Sequence, residues 1–464
     1  MPATEALTSP EAPHPPRYWW LKRISLGSAI VLLFLALVRI AWGWDANRRL
    51  QAAINTIRSR GEPILPQDFA STKVSDTENY VYYFNQALAA FSTKVDSPRQ
   101  SDQDFENYPP FPPNWYAMTK AAMAANVNCY TLLRSARDHQ KVDWGVDWPE
   151  AFRAGIGSVL FSRLPITDMR SMANLLVDSA QYHHLSGNDA EAVELILDLF
   201  AMSAALDKQP MLVSHLVAVG LDSLGLEVLQ MMAPAIQVSA GSSSPNAKPT
   251  TRDRIEQMIA LLLDPDRCNG LKMVLFAERA WTLQMFEDTT RAGMILRPMY
   301  KLDVIGVLPM NDPVIDNVAK PSFGGPADSP EKGNMELAHL ASNLIASPLN
   351  RMLETEARVR AGRAMTAISL AARLYQIDHE GRWPANLDAL VPAYLPAIPI
   401  DPMSPDARPV GYVLAQNGTR PLVYCMGEKR QEGSPLDNLP DKPMYGYQIR
   451  TPFQWRDLSR FTAP

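Results

Sequence analysis

The hydrophobic pattern of the chain begins with one long apolar run, from Ile24 to Trp44. As a helix, its residues would span about 31 Å, which matches a hydrocarbon core of roughly 30 Å. Aromatic residues flank both ends, as is typical of membrane interfaces: Tyr18, Trp19 and Trp20 before the run, and Trp42 and Trp44 at its end. Arg39 lies near one end, where its long side chain can reach the interface. The pattern predicts a transmembrane helix over residues 24–44.

An apolar run of this length also has two other interpretations, a buried soluble helix and a cleaved signal peptide. A buried soluble helix would not explain the paired aromatic belts. A cleaved signal peptide stays open, because Ala41-Trp42-Gly43 is loosely small-x-small, although Arg39 and two tryptophans crowd that cleavage region.

Orientation is not decided by the flanking charges, since basic residues occur on both sides of the run. The short, proline-rich start suits a cytoplasmic tail over residues 1–23. We therefore expect a single-pass protein of the inner (cytoplasmic) membrane, with the bulk of the chain extracytoplasmic and the bilayer contacted through residues 24–44.

A helical body is predicted over residues 45–304. Leu50, Ile54 and Ile57 form an i, i+4, i+7 stripe, so the first helix should continue as an amphipathic helix until Gly61 and Pro63. Further helices are predicted over residues 76–91, with Asp76 as the N-cap, and from about Asn114.

Residues 166–236 show the most regular helical periodicity of the body. Two helices joined by a turn at Gly187, Asn188 and Asp189 form an αα-hairpin, and a third helix begins near Pro210. Small residues at Ala180 and Ala192 give this hairpin spacings that resemble a tetratricopeptide repeat, of which the chain offers one copy.

Helices over residues 252–263 and 269–290 should complete the body, with the adjacent Glu278 and Arg279 as solvated charges. A loop-rich linker is expected over residues 305–332. The C-terminal domain, residues 333–464, should open with a helix over residues 348–378 that ends at Gly381.

The rest of the C-terminal domain is expected to be a small α+β unit. A short helix capped by Asn386 comes first, and the strands 410–415 and 421–426 then flank the hairpin signal Asn417-Gly418. The predicted fold class is therefore mainly α, with a small antiparallel sheet near the C-terminus.

Ordered short motifs in the last part of the chain carry a resemblance. They are Tyr375, Asp378, Gly381, Pro384, Leu390, Pro399, Asp401-Pro402, Gly411-Tyr412, Tyr424 and Gly427. This series resembles the globular domain of the major pseudopilin of type II secretion, which implies a pseudopilin-like fold outside the cytoplasm. In that family a hydrophobic helix directly precedes the unit, whereas the preceding helix here is soluble. The whole chain also resembles single-span membrane proteins of planctomycete-like bacteria, including the turn at residues 61–63.

The pseudopilin resemblance also implies calcium binding in the loop after the hairpin. Here that loop offers Glu428, Glu432, Asp437 and Asp441, and calcium accepts six to eight oxygen ligands at irregular spacing. A solvated acidic loop explains the same residues, because lysine and arginine lie among them. Glu428, Asp437 and Asp441 are therefore calcium candidates, and no other metal site is predicted.

Composition narrows the function classes. The formal net charge of −5 has no basic run of the kind that nucleic-acid binding needs, so no nucleic-acid partner is expected. A slightly negative mean hydropathy excludes a multi-span protein. Cys129, Cys268 and Cys425 lie far apart without CxxC spacing, which favours buried thiols over a disulfide or zinc site.

Two segments contain potential metal ligands but do not have the geometry of a metal site. His183 and His184, near Asp178 and Asp189, are adjacent on a helix and diverge by about 100 degrees, so they chelate poorly. The segment 264–270 resembles an EF-hand loop but lacks the glycine and closing glutamate of that loop, and it is interpreted as a helix-linking turn.

No catalytic or cofactor-binding residues are predicted, because the chain has no GxSxG, Walker or dinucleotide glycine pattern. The sequence therefore favours a membrane-anchored extracytoplasmic scaffold or binding protein, related to the envelope or to secretion, with a protein partner there. The alternative is an envelope hydrolase with a site built from distant residues. A deep polar pocket with convergent carboxylates would favour this alternative.

Overall fold

The computed structural model shows a mainly helical protein with one small antiparallel sheet. The structure describes residues 17–92, 111, 113–155, 164–239, 248–292, 297–318, 320, 340–404, 406–415, 420–425 and 454–457. The first half of its helices are α1 (Trp19–Ser59), α2 (Tyr80–Ala90), α3 (Pro113–Ala125), α4 (Val127–Arg137), α5 (Trp148–Ala154), α6 (Ile166–Leu185) and α7 (Asp189–Asp207). The second half are α8 (Leu212–Met232), α9 (Arg252–Leu262), α10 (Asn269–Ala292), α11 (Arg297–Val307), α12 (Asp312–Val318) and α13 (Leu340–Asp378).

Helix α1 is continuous from the apolar run into the predicted amphipathic stripe. Two helices among the described residues are long and apolar enough to cross a membrane, α1 and the segment Leu212–Ala235. The apolar stretch of α1 is unburied, whereas most of the second segment is buried in the core. The exposed apolar surface of α1 is therefore the one available to lipid.

The second half of α1 packs against the body. Ile54 and Ile57 form a small core with Leu283, Val304 and Leu308. After α1 ends, Gly61 adopts a φ of 77°, a left-handed conformation that glycine adopts without strain. The chain therefore turns where the glycine and proline pattern predicted.

Helix α11 lies alongside α1 and runs in the same direction. A Cβ atom added to Gly43 would lie 3.9 Å from Pro298 in the first turn of α11. One turn further, Lys301 donates a hydrogen bond to Asn47 (2.7 Å), and Val304 belongs to the same small core as Ile54. The start of α11 is therefore level with the end of the apolar run.

The main core is built around the predicted αα-hairpin of α6 and α7, with α8 packed against both. Asn188 caps α7 by accepting a hydrogen bond from the backbone of Glu191, as the turn pattern indicated. Helix α13 packs on α8 and α9, so buried residues such as Leu353 and Ile368 share one core with the hairpin.

The C-terminal elements follow the predicted order. Gly381, with a φ of 83°, ends α13, and Asn386 caps the short 3-10 helix Leu387–Leu390. Strands β1 (Gly411–Ala415) and β2 (Arg420–Cys425) pair antiparallel, with Tyr412 opposite Val423. The turn between them, which includes Asn417 and Gly418, lies outside the described residues.

Several local predictions need correction. The N-cap of α2 is Asn79 rather than Asp76, because Asp76 lies in a short 3-10 turn and the Asn79 side chain accepts from the backbone of Val81. The expected loop at residues 305–318 is helical, since Pro309 and Pro313 occupy first-turn positions that tolerate proline. Residues 321–332 of the predicted linker lie outside the described residues.

Two elements extend beyond what the pattern predicted. Helix α13 begins at Leu340 rather than Pro348, and Gln454–Asp457 adds a third strand, β3, beside β2. The sheet order is therefore β1-β2-β3.

Candidate functional site

A polar cavity of about 270 Å³ lies where α7, α8, α10 and α13 meet. Its wall combines small apolar residues with a concentration of charged groups. The ionisable side chains that line it are Asp207, Lys208, His215, Asp222, Asp264, Asp266, Arg267, Glu356 and Arg363. We call this space the His215 cavity.

His215 lies between two carboxylates. Its Nδ1 is 2.6 Å from Oδ1 of Asp207, at the end of α7, and its Nε2 is 3.6 Å from Oε2 of Glu356 on α13. The side chain is 2% exposed, and Nε2 has no hydrogen-bond partner among the described residues. This nitrogen is therefore a buried polar group in a residue that lines the cavity.

The pKa of His215 is raised above its ordinary value. Burial opposes the charged imidazolium, but the hydrogen bond and charge of Asp207, with the charge of Glu356, outweigh both burial and the repulsion from Arg363. The imidazole is therefore biased towards its protonated form, in which both nitrogens donate hydrogen bonds.

Asp222 lies two helical turns after His215, on the same face of α8, and two guanidinium groups enclose it. Arg267 donates to its two carboxylate oxygens at 2.9 and 3.1 Å, and Arg363 of α13 forms a second close ion pair. Burial alone would raise the pKa of Asp222, but these two charges lower it. Asp222 is therefore an ionised, fully partnered carboxylate.

Glu356 is buried in a similar way. Arg360 donates to it at 2.8 Å, and the same guanidinium donates to the backbone oxygen of Val318 at 2.7 Å. The charges of Arg360 and His215 outweigh burial and lower the pKa of Glu356. Arginines therefore balance the negative charges of Asp222 and Glu356, so both carboxylates stay ionised. This disfavours a role for either as a proton donor.

The turn between α9 and α10 forms the mouth of the cavity. Asp264 caps the 3-10 helix Pro265–Cys268 by accepting from the backbone of Asp266 at 2.9 Å. Gly270, in the first turn of α10, faces Asp207 so closely that an added Cβ would lie 1.9 Å from Oδ2. Only glycine leaves room for this carboxylate, whose position at a helix start is favourable.

The lining carries more negative than positive charge. Five carboxylates (Asp207, Asp222, Asp264, Asp266 and Glu356) and three permanent cations (Lys208, Arg267 and Arg363) line the cavity. Arg360, which pairs with Glu356 from outside the lining, and a protonated His215 offset the difference. Asp264 and Asp266, for which no ion pair is seen among the described residues, place local negative charge at the mouth. This arrangement favours a small polar molecule that carries a positive charge.

Other buried charges lie outside the lining of the His215 cavity. Asp198 lies between Arg134 and Arg137, and burial nevertheless raises its pKa to about 6. Near the end of α1, Arg279 is buried and pairs with Glu62 and Asp312, so the expectation of a solvated arginine is wrong. Its neighbour Glu278 is half-buried, and burial raises its pKa to about 7.

The histidine pair considered from sequence lies on α6, away from the His215 cavity. His184 contacts Asp189 (2.5 Å), and His183 faces Asn188 (3.3 Å), so the two rings engage separate partners. Asp178 is buried on the same helix. Within the described part of the chain, no group of three or more metal-ligating side chains is present.

The calcium candidates Glu428, Asp437 and Asp441, with Glu432, lie outside the described residues. Of the three cysteines, Cys129 and Cys425 are buried, as expected. The segment 264–270 is a helix-linking turn, as interpreted, but it also supplies the mouth of the cavity.

Sequence reasoning missed the His215 cavity because its residues come from four helices. A local signal was present, since Glu356, Arg360 and Arg363 recur at i, i+4 and i+7 on α13, the packed side that also carries Leu353 and Ala364. Charges at this spacing within an apolar stripe indicate partners buried on a neighbouring helix.

Comparison of the chain with protein-family models, curated proteins and solved structures finds no match.

Proposed function

We propose that this protein is a single-pass membrane protein whose helical body binds a small, positively charged polar ligand in the His215 cavity. The observation that carries the proposal is the pair of carboxylates at the mouth of a 270 Å³ space, Asp264 and Asp266, for which no ion pair is seen among the described residues. Such a space suits a ligand of roughly the size of an amino sugar or amino acid.

The arrangement favours binding over catalysis. Asp222 and Glu356 are held as anions by arginines, so neither donates a proton readily. The Ser203 hydroxyl, which lines the cavity, donates to the backbone oxygen of Ala218 at 2.8 Å. The same hydroxyl also hydrogen-bonds Asp222, but Arg267 and Arg363 share the charge of that carboxylate and make it a poor base for activating Ser203 as a nucleophile.

Three matched sugars test the ligand class. Glucosamine carries a cationic amino group at pH 6.5, whereas glucose and N-acetylglucosamine are neutral and of similar shape. We expect glucosamine to raise the melting temperature of the detergent-solubilised full chain more than the other two. The increase should fall in a variant with Asp264→Asn and Asp266→Asn. Equal responses to all three sugars would contradict a charge-selective site.

A second candidate function rests on the Asp207–His215 pair. His215 lines the cavity, and its Nε2 has no hydrogen-bond partner among the described residues, while Asp207 holds the other ring nitrogen, an arrangement that a hydrolase uses to move a proton. Turnover of nitrophenyl esters, phosphates or glycosides that disappears in His215→Gln would favour a hydrolase. Absence of turnover with ligand binding intact would favour the binding protein.

The proposed membrane insertion rests on α1, whose apolar stretch is unburied in the described part of the chain. We place the chain in the inner membrane with residues 1–23 in the cytoplasm and the body outside it. Added protease should digest the body in intact spheroplasts, and a body protected until the membrane is broken would reverse the orientation. A mature N-terminus near Trp44, measured by mass spectrometry, would replace the anchor with a cleaved signal.

The two finer fold resemblances also stay proposals. A tetratricopeptide-like hairpin at α6–α7 and a pseudopilin-like C-terminal unit would both suit a scaffold that holds a protein partner in the envelope. In-cell crosslinking followed by purification of the full chain tests this role. A partner lost on deletion of residues 411–464, with the helical body still folded, would support the pseudopilin-like unit as the contact.

A further inference from the structure

A second cavity, of about 140 Å³, lies between α1 and α11, and we call it the junction cavity. Its polar lining consists of hydrogen-bond donors, including Arg297, Tyr300 and Lys301 on α11 and the amides of Asn47 and Gln51 on α1. Among the described residues that line it, none is acidic. This donor set is of the kind that binds phosphate and other anions.

The opposite wall of the junction cavity is apolar. Leu50, Ile54, Leu283 and Val304 line it, and the last three belong to the small core beneath. The cavity is therefore amphiphilic, with cations on one side and aliphatic side chains on the other. Such a surface fits a molecule that joins an anionic group to a hydrocarbon chain.

The level of the junction cavity along α1 matches the headgroup region of a bilayer. Trp44 ends the apolar run, and a helical rise of 1.5 Å per residue places Asn47 about 4.5 Å and Gln51 about 10.5 Å beyond it. Each headgroup layer is roughly 5 to 7 Å thick, so the cavity begins within this layer. Pro298, beside Gly43, independently places the first turn of α11 at the same level.

The charges around the junction cavity point to an anion rather than a zwitterion. Arg297 is exposed, and the first turn of α11 adds the positive end of its helix dipole. Asp45, the nearest acidic residue on α1, already pairs with Arg48 and Arg49. The exposed Arg297 thus belongs to the lining, and none of the described lining residues is a carboxylate.

We propose that the junction cavity binds the phosphate headgroup of an anionic phospholipid, with its glycerol and upper acyl chain against the apolar wall. This inference rests on the membrane insertion of α1 under the proposed function. Lys301, held by Asn47, and Arg297 would contact the phosphate, while Leu50 and Val304 would contact the hydrocarbon.

Native mass spectrometry of the delipidated full chain in detergent tests this site, with phosphatidylglycerol and phosphatidylcholine as probes. We expect one tight phosphatidylglycerol adduct, weakened by about tenfold or more in the Arg297→Gln/Lys301→Gln variant, because each basic residue contributes to headgroup attraction. The matched control is Arg48→Gln/Arg49→Gln, which removes two exposed cations at the same level but outside the cavity.

Three outcomes would overturn the lipid site. Equal binding of both lipids, or equal loss in the cavity variant and the control, would show only general surface attraction. Inorganic phosphate or glycerol phosphate that binds as tightly as phosphatidylglycerol would assign the cavity to a free anion. Circular dichroism of each variant separates lost binding from lost folding.

Alkaline carbonate extraction of cell membranes tests the membrane anchor separately from the headgroup site. If the wild-type chain is extracted, the membrane anchor fails and the headgroup site fails with it. If the chain stays in the membrane but shows no preference for phosphatidylglycerol, only the headgroup site fails.

Discussion

The His215 cavity and the junction cavity are both lined by arginines, but the arginines differ in whether a carboxylate of the lining lies beside them. In the His215 cavity, Arg267 and Arg363 enclose Asp222, so the guanidinium groups are matched within the protein. In the junction cavity, Arg297 and Lys301 belong to a lining in which no described residue is acidic. A buried cation paired with a carboxylate holds helices together, whereas the exposed Arg297 is accessible to an external anion.

The largest expected effect follows from Asp222→Ala. This change leaves two buried guanidinium groups without their shared carboxylate, which should lower the free energy of unfolding by about 3–5 kcal/mol. Urea unfolding of the full chain in detergent, followed by circular dichroism, measures this loss.

Asp378→Ala is the matched control for that change. Asp378 also pairs with an arginine, Arg252, at 3.0 Å, but both side chains are about one-third exposed, at 32% and 36%. Its loss should therefore be at most about 1 kcal/mol. Equal losses for the two variants would contradict the view that burial makes the Asp222 network structural.

Gly270→Ala should have the next largest effect. The added methyl group would meet the Asp207 carboxylate, so α10 or Asp207 must shift, at an expected cost of about 1–3 kcal/mol. Gly220→Ala on α8 is the control, because nothing lies within 4 Å of its added Cβ, and it should stabilise by about 0.5–1 kcal/mol. If both substitutions shift the melting temperature in the same direction, the close approach of Asp207 does not explain why residue 270 is a glycine.

The pH dependence of stability distinguishes His215 from its surroundings. Its pKa is raised in the folded protein, so its stabilising charge is fully present below the unfolded value of about 6.5 and is lost as pH rises through the folded value. The stability difference between wild type and His215→Gln should therefore shrink as the pH rises from 5.5 through the folded pKa. A difference that is constant in paired urea titrations would rule out this charge coupling.

The smallest effect is expected at the junction cavity. Arg297 is exposed, and Arg297→Gln should change the free energy of unfolding in lipid-free detergent by no more than about 0.5 kcal/mol. A loss comparable to that of Asp222→Ala would mean that Arg297 is itself structural, and the contrast between the two cavities would disappear.

Local patterns predicted the helices better than the site. The capping residues Asn188 and Asn386 and the terminating Gly381 act within a few positions of themselves, so sequence alone located them. Asp207, His215 and Glu356 meet only because α13 packs on α8, a long-range contact that periodicity does not encode. The loop expected at residues 305–318 was wrong for a related reason, since prolines that break a helix interior also begin helices.

The unbroken course of α1 has a mechanical consequence. If α1 spans a bilayer as proposed, one continuous helix from Trp19 to Ser59, in contact with α11, couples the orientation of the body to that of the membrane segment, as a flexible tether would not. Because helices tilt to match bilayer thickness, a thinner bilayer would then tilt the whole body towards the membrane surface. One residue inserted between Trp44 and Asn47 would turn the body by about 100 degrees and raise it by about 1.5 Å relative to the anchor. The first helix thus sets the direction in which the body faces.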